Sequence, residues 1–69
     1  MNNDKEFTFY VKSYSSIEKL EQLRIGHQID LDQMKSGKFA SWEDESSIPA
    51  KERKLAIIDA EIASRKRKP

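Results

Sequence analysis

Residues 6–12, Glu6-Phe7-Thr8-Phe9-Tyr10-Val11-Lys12, are the stretch on which the fold reading turns. Phe7, Phe9 and Val11 alternate with Thr8, Tyr10 and Lys12. A period of two with aromatic and β-branched content predicts a half-buried β-strand. Nothing later in the chain repeats the pattern. A single strand leaves a row of N–H and C=O groups unpaired, and such an edge recruits a partner. The expected architecture is therefore mainly α, with one N-terminal strand over 6–12 paired between molecules. A homodimer is the simplest such pairing.

Working outward, Ser15 followed by Glu18 fits a capping box, which starts a helix near Ser16. Its end has two readings. Gly26 can break it into two short helices, or it can run over 16–36 and stop at Gly37. Ile17, Leu20, Leu23, His27, Leu31 and Met34 share one face of a continuous helix, and a single internal glycine costs only about 1 kcal/mol. The continuous, amphipathic central helix is preferred. Ile25 and Ile29, four apart, form a second and smaller stripe.

Residues 37–48 read as a connector, but Phe39 and Trp42 are unusual in a polar, acidic linker. They either complete a thin core or anchor in a partner's groove, as buried aromatics do at many interfaces. Ile48-Pro49 opens a C-terminal helix over 49–66, since proline suits a first turn and Ser46 or Ser47 can cap it. Leu55, Ile58 and Ile62 define its apolar face, with Ile48 near its start. Residues 67–69 form a tail, and the whole chain reads as one small domain.

Composition narrows the function classes. The chain has 69 residues, 36% of them hydrophobic and 36% charged, with a net charge of +1. A chain this short buries little core, and without cysteine it has no disulfide staple, thiolate nucleophile or Cys-based zinc site. No long apolar run marks a signal peptide or membrane span, so a soluble, cytoplasmic protein is expected. Only Gly26 and Gly37 are glycines, which excludes a glycine-rich phosphate loop. His27 has no orienting carboxylate at a recognisable spacing and reads as a partly buried or interfacial histidine. No catalytic residue, metal site or cofactor is expected. Partner binding is left as the function.

One resemblance fits this reading. Met34-Lys35-Ser36-Gly37-Lys38-Phe39, Ile48-Pro49-Ala50-Lys51-Glu52 and Ile58-Asp59-Ala60-Glu61-Ile62-Ala63-Ser64-Arg65-Lys66 resemble the toxin-binding tail of small bacterial antitoxins that partner ParE/RelE-type toxins. The resemblance covers about half the chain. It implies that the C-terminal helix neutralises a small basic toxin, with Ile48, Leu55, Ile58 and Ile62 filling its groove and Phe39 and Trp42 on the approach. It also implies an N-terminal half that dimerises and binds operator DNA as a ribbon–helix–helix, whose outward strand residues read bases. Those would be Thr8, Tyr10 and Lys12, joined by the basic run Arg65, Lys66, Arg67 and Lys68 on phosphates. Tyr10 reads bases poorly and only Lys12 in the strand is basic, so a protein partner outranks DNA. A phage-type inhibitor or adaptor of a host protein, its strand added to a host sheet, is the third reading.

Overall fold

A computed structural model describes residues 3–67. It contains three helices: α1 Asn3–Lys12, α2 Ile17–Lys35 and α3 Ser47–Arg67. There is no strand among the described residues. The expected strand over 6–12 is a helix, and its intermolecular pairing has no counterpart.

The physical reason lies on either side of the seven-residue window. Phe7 and Val11 are four apart, and Asp4 and Tyr14, three residues before and after them, extend the same helical face by one turn each. Asp4 and Glu6 sit in the first turn and Lys12 in the last, matching the helix dipole. The Thr8 hydroxyl donates to the Asp4 carbonyl at 2.7 Å, inside the same helix. Phe7, Tyr10 and Tyr14 form a column with ring centroids 5.9 and 5.2 Å apart, at i,i+3 and i,i+4. A strand would have sent Tyr10 to the face opposite Phe7. Phe9, which alternation assigns to the core, is 67% exposed. A helix also closes its own backbone hydrogen bonds, which a solitary strand cannot do.

α2 runs through Gly26 without a break. Its cap is Ser16 rather than Ser15: the Ser16 backbone is extended, and its hydroxyl accepts from the Lys19 N–H at 3.2 Å. That shift of one residue puts Lys19, not Glu18, at the third helical position, so the reciprocal carboxylate bond of a capping box is not made. The other end is a Schellman closure. Gly37 has φ +88°, its N–H donates to the Met34 carbonyl at 3.0 Å, and the Lys38 N–H donates to the Gln33 carbonyl at 2.8 Å. α3 opens with Ile48 and Pro49 in its first turn, where the missing proline N–H has no helical partner. The Asp44 carboxylate, held below its usual range by the Ser46 hydroxyl and N–H, accepts at 2.9 Å from that N–H just before the helix.

α3 is the spine. It packs antiparallel along α2 and parallel to α1, and α1 meets α2 much less. Val11, Leu20, Ile58 and Ile62 form the core cluster, with Phe7, Tyr14, Ile17, Leu23 and Ile57 packed around it. Leu31, Met34 and Leu55 are also buried, outside that cluster. The molecule measures 42 by 26 by 15 Å, little more than one helix diameter in its thinnest direction. Each helix therefore keeps an outward face.

The two glycines make opposite predictions. A Cβ at Gly26 meets nothing within 4 Å, and the residue lies inside a helix. Gly26→Ala should raise unfolding stability by up to about 1 kcal/mol. Gly37→Ala should lower it by about 1 kcal/mol or more, because φ is positive there. Urea unfolding followed by circular dichroism reads both. Destabilisation by Gly26→Ala would contradict an unbroken α2.

Candidate functional site

The residues expected to meet a partner separate into an inward and an outward group. Leu55, Ile58 and Ile62 are buried, and Ile48 is half-buried. Ile58 and Ile62 pack with Leu20 of α2 and Val11 of α1, so a partner reaches them only if α3 leaves those helices. Phe39 is half-buried in the connector. Trp42 is 83% exposed.

The cations and strand residues assigned to DNA are arranged differently from a reading face. Thr8 is half-buried with its hydroxyl spent on Asp4. The Tyr10 hydroxyl shares a 2.7 Å hydrogen bond with that of Tyr14, which holds the Tyr14 phenol above its ordinary pKa. Lys12 and Arg65 converge on Glu61 at 3.6 and 2.8 Å, and Arg65 also donates to the Lys12 carbonyl at 3.2 Å. Lys66 pairs with Glu21 at 3.5 Å. Arg67 is exposed, and Lys68 lies outside the described residues. Without a strand ribbon, Thr8, Tyr10 and Lys12 share no base-reading edge.

A polar joint sits where the three helices meet. The Lys51 side chain is only 12% exposed, and its ammonium donates to His27 Nδ1 at 3.1 Å while lying 3.6 Å from Asp30. An ammonium cannot accept, so His27 accepts through Nδ1 and is neutral. The His27 ring meets the edge of Phe7 at 5.6 Å, and Lys54 stands 5.6 Å over the face of that same Phe7. Burial first, then the charges of Lys51 and Lys54, hold His27 below the ordinary imidazole pKa, with Asp30 opposing them. Lys51 lies on the face of Leu55 and Ile58, four and seven residues on. In sequence Lys51 reads as one of the polar residues off that face; its spacing to Leu55 and Ile58 is the signal that could have placed it inward.

Beside Phe9 and Tyr10 on α1, the exposed large apolar residues are Ile25, Ile29 and Trp42. Ile25 and Ile29 are each about half exposed, on the α2 face opposite Leu20, Leu31 and Met34. The same i,i+4 row continues to Gln33, which lines a cleft of about 330 Å³ together with Asp30, Lys38, Phe39, Ala40, Trp42 and Glu43. The connector is not slack at this point. The Ala40 N–H donates to the Glu43 carboxylate at 3.0 Å, and the Glu43 N–H donates to the Ala40 carbonyl at 2.9 Å. This doubly closed turn has Ser41 and Trp42 at its tip, where the Trp42 side chain is largely exposed. The Ile25/Ile29 stripe is visible in the sequence, but its exposure and its continuation through Gln33 to the Trp42 cleft come from the fold.

The joint makes a pH prediction. His27 is neutral when folded, whereas an unfolded imidazole titrates near pH 6.5. The unfolded state then binds more protons on the acid side, so stability falls as pH drops through about 6.5 toward the lower folded pKa. Glu61, held below its usual range by Arg65, adds a loss only in the lower carboxylate range. His27→Gln should flatten the stability profile between about pH 7.5 and 5, measured by thermal unfolding; an unchanged slope would contradict the joint. Compared with known proteins, the chain matches no family model, no curated protein and no solved structure.

Proposed function

We propose that this chain is a non-enzymatic protein-binding module, with its contact surface running along Ile25 and Ile29 to Trp42. The observation that carries the reading is the turn between Ala40 and Glu43, at whose tip the single tryptophan is 83% exposed. Exposing an indole forgoes the stabilisation of burying it, about 2 kcal/mol or more on area grounds. A chain with so thin a core gains more from turning that ring inward. It stands exposed at the tip of a hydrogen-bonded turn instead, and tryptophan is among the residues that dominate binding energy at interfaces. Ile25 and Ile29 add a second apolar contact on α2.

An antitoxin-type role through the C-terminal helix uses a different surface. It requires α3 to release Leu55, Ile58 and Ile62 from α2 and α1 before they enter a toxin's groove. The two modes respond oppositely to mutation. Trp42→Ala and Ile29→Asp lie outside the core and leave folding nearly unchanged. Ile58→Ala empties a fully buried site and costs about 2–5 kcal/mol.

Affinity capture from an extract of the source cell, read by mass spectrometry, tests the reading. The expected result is a protein retained by the wild-type chain and lost with Trp42→Ala and with Ile29→Asp. A protein retained more strongly by Ile58→Ala, and indifferent to Trp42, would replace this reading with binding through a released α3. Retention of nothing by any variant would overturn the binding-module reading.

A further inference from the structure

We propose that the α2–connector surface docks a cationic amphipathic helix of a partner protein. The inference rests on the binding-module reading and specifies the partner's chemistry. It starts from which charges the fold has already used. The carboxylates of α3 are all engaged: Glu52 by Lys35, Asp59 by Arg24 and Glu61 by Lys12 and Arg65. Asp30 is paired with Lys51 and Glu21 with Lys66. Among the described residues, Glu18, Asp32, Glu43, Asp44 and Glu45 have no cation within ion-pair distance, and Glu6 on α1 is the remaining such acid. Five of these six flank the Ile25–Ile29–Trp42 line. Lys19, Lys38 and Lys54 are the cations near this surface that no ion pair holds, Lys54 lining a second cleft with Trp42 and Glu43, so five such acids stand against three such cations although the whole chain carries +1.

The shape selects a helix. A strand partner needs an open sheet edge, and no strand exists among the described residues. A helix brings its own satisfied backbone and needs only an apolar stripe and matching charge. The row from Ile25 to Gln33 rises about 12 Å along α2, roughly two turns, before it reaches the cleft beneath Trp42. Leucine-type side chains at i, i+4 and i+7 of a partner match such a row, and lysine or arginine on its flanks meets Glu18, Asp32 and the connector acids. A second copy of this chain is a poor occupant. Its Lys12, Arg24, Arg53, Arg65 and Lys66 are already held in ion pairs.

Trp42 is the sole tryptophan, so indole emission reports on this surface alone. The probes are two synthetic helical peptides of about 18 residues with the same leucine stripe. One carries lysine at every other position, the other glutamate. The lysine peptide should shift Trp42 emission to the blue and bind at least about tenfold more weakly at 0.5 M than at 0.05 M salt. Ile29→Asp should abolish that binding even though it adds negative charge. Binding that survives Ile29→Asp would overturn docking in favour of unspecific ion attraction. Equal binding of the glutamate peptide would overturn the cationic partner while leaving the module reading in place. No emission change with either peptide would overturn the proposal, and the capture experiment then decides the module reading by itself.

Discussion

Everything in this fold depends on α3 being packed on two sides at once. Ile58 and Ile62 meet Leu20 of α2 and Val11 of α1 in one small cluster. With no disulfide and a thickness of 15 Å, the chain has little other apolar burial to draw on. α1 is too short to stand as an isolated helix in water. It persists because Phe7 and Val11 cover the side of α3 that α2 leaves open. Surface ion pairs along the seams, such as Arg53–Asp4 at 3.2 Å and Lys35–Glu52 at 3.6 Å, set register more than stability.

That double packing determines which surfaces remain for other molecules. It turns Leu55, Ile58 and Ile62 inward, and it ties Lys12, Arg65 and Lys66 into the α3 seams. What stays outside is the back of α2, the turn bearing Trp42 and the Phe9–Tyr10 side of α1. The proposed binding surface is thus the remainder of the folding problem: apolar groups the thin core has no room for, beside carboxylates the seams do not use.

Much of α2 and α3 was legible in the sequence. Gly37, Pro49 and the spacing of Leu20, Leu31 and Met34 each carry a local reason for a helix boundary or face. The polar residues in that seam also make sense afterwards, since Arg24 meets Asp59 and His27 meets Lys51 across it. α1 was not legible from residues 6–12. Seven residues with aromatics at alternating positions fit a period of two, and Phe7 with Val11 fits 3.6 equally well. The choice depends on Asp4 and Tyr14 outside the window and on an apolar face of α3 that only tertiary packing supplies. The side taken by Trp42 was open for the same reason: the turn that carries it needs both Ala40 and Glu43 in place.

The central claim is that residues 6–12 form a helix docked on α3. Backbone and side-chain NMR of the isolated chain tests it most directly. A docked helix gives helical Cα shifts from Glu6 to Lys12, together with contacts from the Val11 methyls to Ile58 and Ile62. Extended-chain Cα shifts with cross-strand contacts between two copies would contradict it, and would restore the strand ribbon in place of the three-helix core.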